Sequence, residues 1–161
     1  MTISFILNGE DVVIQTESNT RLVDILRGNF NLLNTRIGCL TGKCGFCTVI
    51  YNGKASHACL IPAFRIRGSE VITLEGFSQT AEYQDILTGF GRAGLMDCGY
   101  CEAGKILNTE ALLEKNSRPS RQEILDAFAG LRCRCTNPDD LVEGIEKIVE
   151  TRQRRLYGRS V

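Results

Sequence analysis
Tryptophan is absent from this chain, histidine occurs once, at His57, and there are only four tyrosines. So few aromatic rings leave no base-stacking surface for single-stranded nucleic acid. Charge of one sign is missing too: 19 basic and 19 acidic residues balance to zero, whereas nucleic-acid binders carry a basic excess. A single histidine excludes an HExxH zinc site, and no Ser-His-Asp set can be assembled around it. No apolar run approaches the ~18 residues that a membrane span needs. The opening MTISFILNGEDVVIQ has neither the basic region nor the apolar stretch of a signal peptide. These absences point to a cytoplasmic chain with no nucleic-acid or membrane partner and no catalytic residues of its own.

What the chain does have is cysteine, eight in 161 residues. Disulfides are rare in a reducing compartment, so such a count points to metal or redox chemistry. Cys39, Cys44, Cys47 and Cys59 are spaced C-x4-C-x2-C-x11-C, and the first three spacings are those of plant-type [2Fe–2S] sites. Gly38, Gly42 and Gly45 let the backbone wrap closely around a compact group and turn N–H donors toward it. A zinc ribbon would more usually show two C-x2-C knuckles. Cys98 and Cys101 form a C-x2-C pair, followed after thirty-one residues by Cys133-x-Cys135. Two four-thiolate sites consume all eight cysteines. Such a charged site calls for nearby cations, with Lys43, Arg132 and Arg134 as candidates. With every ligand position filled by sulfur, His57 reads as a hairpin residue.

The chain divides into two halves. Residues 1–76 look β-rich: ISFILNG and DVVIQ flank an Asn8-Gly9 turn, TVIYNGKASH holds another at Asn52-Gly53, and EVITLEGF reads as a last strand. Thr20 is expected to open the one helix of this half, TRLVDILRGNF. Residues 77–161 look helical, with QTAEYQDILTGFGRAGL, EAGKILNTEALLEKN, RQEILDAFAG and PDDLVEGIEKIVETR as four helices. Ser120 with Glu123 is a capping box, and Asn137 with Pro138 is a strong helix start. Gly89, Gly91 and Gly94 are poor residues inside a helix. The basic tail at Arg152, Arg154, Arg155 and Arg159 reads as a frayed terminus, or as a docking strip on an acidic partner.

GCLTGKCGFCTV followed by CGYC and CRCT resembles the iron–sulfur (small) subunit of the molybdenum hydroxylases, the family of xanthine dehydrogenases, aldehyde oxidoreductases and carbon monoxide dehydrogenases. The resemblance covers residues 3 to about 150. It implies an α+β fold, with a β-grasp ferredoxin-like domain at 1–76 and a four-helix-bundle [2Fe–2S] domain at 77–161. It also implies an electron-transfer subunit with two [2Fe–2S] clusters. Cys39, Cys44, Cys47 and Cys59 would hold the more exposed cluster; Cys98, Cys101, Cys133 and Cys135 would hold a buried one. Electrons would come from a molybdopterin-containing large subunit and leave toward FAD on a medium subunit, or another acceptor. A stand-alone two-cluster carrier or redox sensor is the alternative, and a zinc-stapled interaction module a third reading.

The chain departs from the family pattern around the second set. Asp97 stands where the pattern has a glutamine beside the pterin, and an ionised carboxylate accepts hydrogen bonds but cannot donate them. CGYCTPGM has become CGYCEAGK, with Glu102, Ala103 and Lys105. GNLCRCTGY has become GLRCRCTNP, with Leu131, Arg132, Asn137 and Pro138.

Overall fold
The computed structural model describes residues 1–95 and 98–158. Asp97 and Arg159 therefore lie outside the described residues. In β1 (Thr2–Leu7) alternate residues are buried, so Ile3, Phe5 and Leu7 face one side, as the period of two requires. β2 (Glu10–Gln15) pairs antiparallel with it through the Asn8-Gly9 turn, where both residues have positive φ. β3 (Thr48–Tyr51) and β4 (Lys54–His57) form the second hairpin around Asn52-Gly53. β5 (Glu70–Ile72) lies between them, parallel to β1 and antiparallel to β3, giving the order β2-β1-β5-β3-β4.

Helix α1 (Leu22–Gly28) lays Leu22, Val23, Ile25 and Leu26 against Ile3, Phe5, Val49 and Val71, forming the first core. Two details differ from the sequence reading. Thr20 does not cap α1; Arg21 holds the cap position, and the Thr20 hydroxyl accepts from Thr16 instead. EVITLEGF is not one strand: β5 ends at Ile72, and Leu74–Phe77 coils into a short helix, α2. There Asn8 Oδ1 accepts the Thr73 N–H at 2.8 Å and draws the chain back over the first hairpin turn.

The second half contains α3 (Ala81–Arg92), α4 (Glu102–Lys115), α5 (Arg121–Phe128) and α6 (Pro138–Tyr157). The Ser120–Glu123 capping box forms with both of its bonds, and Asn137 caps α6 through the Asp140 N–H. Helix α4 is more central than a one-faced amphipathic pattern predicts. It buries Lys105, Thr109 and Glu110 together with its apolar residues. Ile50, on the β3 face opposite Val49, joins this second core with Ile86, Ile106, Leu107, Ile145 and Ile148. The sheet is thus covered on both sides at β3.

Residues 89–94 spell G-F-G-R-A-G, which matches G-x-G-x-x-G as a string. It falls at the C-terminal end of α3, not between a strand and a helix as a dinucleotide site requires. Gly89 instead serves packing: a Cβ there would sit 2.6 Å from the Ile148 backbone nitrogen, so the α3 backbone lies close against the backbone of α6.

The basic tail is helical through Tyr157, not frayed, and two of its arginines are paired within the chain. Helix α6 carries Arg152 to Glu110 at 2.7 Å, and Arg155 to Asp85 at 2.9 Å and Glu82 at 2.8 Å. Asp85 and Glu110 are buried, and a buried carboxylate needs a cation. Burial pushes the Glu110 carboxyl above 4.5 even though Arg152 pulls it down. Arg152→Met is expected to lower folding stability by about 3–5 kcal/mol, read as a lower urea midpoint. Without its partner, Glu110 folds more easily protonated than charged. Stability of the variant should therefore fall as pH rises from 4.5 through the raised pKa, leaving the deficit smallest in acid.

Candidate metal centres
The first cysteine set lies on the loop between α1 and β3 and just after β4. Cys47 immediately precedes β3 and Cys59 is the second residue after β4, so hairpin pairing brings them together. The Ala58 N–H to Cys47 carbonyl bond, 3.0 Å long, closes that pair. Cys44, Cys47 and Cys59 are buried and Cys39 is half-buried. Backbone N–H groups of Thr41 and Lys43 point at Cys39 Sγ from 3.3 and 3.2 Å. Hydrogen bonds from Thr41, backed by Lys43 and Cys44, hold the Cys39 thiol down at about 5. Burial, with Cys59 and Cys44 alongside, pushes Cys47 up to about 12. A ready thiolate and a thiol that ionises only for a metal make a fitting donor set, because metal binding displaces the proton.

The second set assembles from two loops of the helical half. Cys101 is the N-cap of α4, and Cys133 and Cys135 lie between α5 and α6. Cys101 Sγ is 3.2 Å from Cys133 Sγ and 4.0 Å from Cys135 Sγ, and the latter two are 3.4 Å apart. The Cys98, Cys101 and Cys135 sulfurs lie within 4.8 Å of one another. All four sulfurs thus meet at one place, and an all-thiol set suits iron–sulfur ligation. Burial pushes Cys101 well above the ordinary thiol range, as do its sulfur neighbours. At Cys135 burial also pushes upward, but hydrogen bonds from the Cys98 backbone, Cys133 and Thr136, with the Lys105 charge, bring the thiol to about 6.

The two sets differ in exposure. Within this chain Cys98 and Cys135 are exposed and Cys133 is half-buried, so the second set is the more open one. Its loops sit at helix ends on the molecular surface. A cavity of about 530 Å³ opens beside it, lined by Cys98, Cys101, Cys133 and Cys135 and also by Cys44 and Phe46 of the first loop.

The two sets are linked directly. The Arg132 N–H donates to the Cys44 carbonyl at 2.9 Å, joining a residue of the first set to the neighbour of Cys133. Gly45, Gly104 and Gly130 permit this approach: a Cβ on Gly104 would lie 2.8 Å from the Gly45 carbonyl oxygen. Of the candidate cations, Arg132 and Arg134 are exposed on the cavity wall, and Lys43 acts through its backbone. His57 ends β4 as a hairpin residue and lies beside Gly130. Lys105 is the cation that sequence reasoning missed. It is buried, its Nζ lies 4.0 Å from Cys135 Sγ, and it donates to Thr136 Oγ1 at 3.1 Å. Its position four residues after Cys101, on one helix face, was the available signal.

A fold pairing a five-stranded sheet with a helical half, and bringing cysteine loops of both halves together, defines an iron–sulfur electron-transfer protein. Residues 73–146 match the family model of the [2Fe-2S] binding domain. The chain is 44% identical to the nicotinate dehydrogenase small FeS subunit of Eubacterium barkeri, over 84% of this chain and 87% of that one. It is 32% identical to the nicotine 6-hydroxylase small subunit of Paenarthrobacter nicotinovorans, over 86% of this chain and 84% of that one. The crystal structure of quinoline 2-oxidoreductase from Pseudomonas putida 86 includes a chain that superposes with a TM-score of 0.85 at 33% identity, over 95% of this chain and 96% of that one. The protein belongs to the iron–sulfur small subunits of the molybdenum hydroxylases. Its fold is theirs: a β-grasp ferredoxin-like part followed by a four-helix [2Fe–2S] part. Among the described residues, no helix is long and apolar enough to cross a membrane.

Proposed function
We propose that this chain is the electron relay of a cytoplasmic, molybdenum-dependent dehydrogenase or hydroxylase, and takes no part in the bond chemistry itself. Residues 1–76 form one domain and hold a [2Fe–2S] cluster on Cys39, Cys44, Cys47 and Cys59. Residues 77–161 form the other and hold a second on Cys98, Cys101, Cys133 and Cys135. Each cluster, when bound, takes up and returns one electron. The chain's own residues hold the two sites close, exclude water from Cys44, Cys47, Cys59 and Cys101, and supply N–H donors to sulfur.

The observation that carries this reading is the Arg132 N–H to Cys44 carbonyl bond at 2.9 Å. It gives a short covalent and hydrogen-bonded route between the two thiol sets. The open second set faces the partner: a molybdopterin-bearing large subunit covers the cavity beside Cys98 and Cys135, with the Asp97 position near the pterin. Electrons leave on the side of the first set, toward FAD on a medium subunit or another acceptor. Nicotinate dehydrogenase, nicotine 6-hydroxylase and quinoline 2-oxidoreductase among the similar proteins favour an N-heterocyclic substrate for the whole enzyme.

The test is affinity purification of the tagged chain from its native cells, with metal and flavin analysis of the eluate. Molybdenum and FAD are expected to co-elute with the chain in fixed ratio. A chain that elutes by itself, with neither, overturns the reading.

A further inference from the structure
We propose that Tyr100 is a positioning residue, which straps the loop of Cys98 and Cys101 onto the loop of the first set and so fixes how the two sites face each other. The inference rests on both sets holding [2Fe–2S] groups. Tyr100 lies between Cys98 and Cys101, and Phe46 lies between Cys44 and Cys47. Each ring thus springs from a segment with a thiol on either side. The two rings meet edge to face, with centroids 5.1 Å apart and planes at 88°. The Arg36 guanidinium lies over the Tyr100 ring, 5.5 Å from its centroid. Arg36 is itself tied to the first loop, because its backbone N–H donates to the Phe46 carbonyl at 3.3 Å. Phe46 is seated from behind: a Cβ on Gly38 would lie 2.6 Å from its Cδ2 and 2.8 Å from the Cys44 Sγ.

Tyr100 is 49% exposed, so burial alone does not hold its ring. What holds it is directional: the positive edge of one ring meets the negative face of the other, and a guanidinium is attracted to a ring face. The segment leading to Tyr100 has little else to anchor it. Cys98 is exposed, and a Cβ on Gly99 would meet nothing within 4 Å among the described residues. The first loop is thus grasped at two points. The Arg132 N–H reaches the Cys44 carbonyl at 2.9 Å from the loop of Cys133 and Cys135, and Tyr100 reaches Phe46 from the loop of Cys98 and Cys101. One hydrogen bond fixes a separation but leaves rotation free; a second contact on another loop removes that freedom. Electron exchange and magnetic dipolar coupling between two centres both fall steeply with separation, so the strap bears on both. No bond forms or breaks in the exchange: one reduced cluster loses an electron, the other gains it, and a reductant such as dithionite supplies the first.

The experiment compares Tyr100→Ala, Phe46→Ala, the double variant and Tyr100→Phe with the parent chain, with iron counted on each sample. Iron loss to a chelator is followed anaerobically, and the dipolar coupling between the clusters is read by pulsed EPR after full reduction with dithionite. An aromatic contact of this kind biases the joined arrangement by about tenfold, so both alanine variants should release the iron of one cluster about tenfold faster. The signal lost first should be the one that Cys101→Ala erases, even in Phe46→Ala, whose substitution lies in the first loop. Their dipolar coupling should weaken and spread. The double variant should be no faster than either single one, and Tyr100→Phe should match the parent. Parent-like iron release and coupling in both alanine variants overturn the proposal. So does equal acceleration of both clusters, the mark of general loosening, or a double variant whose effect is the product of the single ones, since the rings then act apart. If Tyr100→Ala does not retain the second cluster, Phe46→Ala decides by the same two readouts. A parent chain with only one cluster overturns the two-cluster reading itself, and iron counting separates that outcome from a failure of the strap.

Discussion
Cys101→Ala is expected to cut the iron content from about four atoms per chain to about two, and to erase one of two EPR signals. Cys101 sits where the second set converges, 3.2 Å from Cys133 Sγ and 4.0 Å from Cys135 Sγ, at the N-cap of α4. Its thiol is buried and resists ionisation until a metal displaces the proton. No other cysteine can replace it, because the remaining four belong to the loop around β3 and β4. The free energy of cluster binding is also folding free energy, so the helical half should unfold at lower urea than the parent. The first set makes its own contacts, and its signal should persist. A Cys101→Ala chain that keeps both signals would remove these residues as ligands.

Gly45→Ala is expected to cost about 2–5 kcal/mol, combining a left-handed backbone with overpacking. Gly45 has φ of +77°, and a Cβ there would lie 2.6 Å from the Gly130 carbonyl oxygen and 3.0 Å from the Leu131 Cα. Both are backbone atoms, so no side chain can swing aside. Relief comes only by parting the two loops, which stretches the adjacent Arg132 N–H to Cys44 carbonyl bond. The chain should therefore show a lower urea midpoint. It should also show slower electron equilibration between its clusters after rapid mixing with a limiting reductant, at unchanged iron content. An unaltered midpoint together with unaltered equilibration would mean that this contact does not join the halves.

Much of this was legible in the sequence because the signals were local. Asn-Gly turns, the Ser120–Glu123 box and the Asn137-Pro138 start all depend on neighbouring residues, and all formed as read. The cysteine sets were legible because spacing alone groups them. What escaped depends on tertiary contact. Thr20 lost its cap role to the Thr16 hydroxyl, and EVITLEGF broke into strand and helix where Asn8 reaches Thr73. Arg152 and Arg155 seemed free only because Asp85 and Glu110, their partners, lie in helices far away in sequence. Gly89 counted against a helix in isolation, yet the crossing with α6 requires it. Lys105 was visible as a departure, but its burial follows from α4 being covered on nearly every side. The relative exposure of the cysteine sets depends on where their loops fall, the first beside a hairpin and α1 and the second at helix ends.

Eight thiols holding two separate one-electron centres in one chain should be visible as two redox couples. The most direct measurement is an anaerobic redox titration followed by EPR, with iron and acid-labile sulfide counted on the same sample. Two distinct one-electron signals are expected, with about four irons and about four sulfides per chain. A single signal with about two irons, or zinc without labile sulfide, would contradict it.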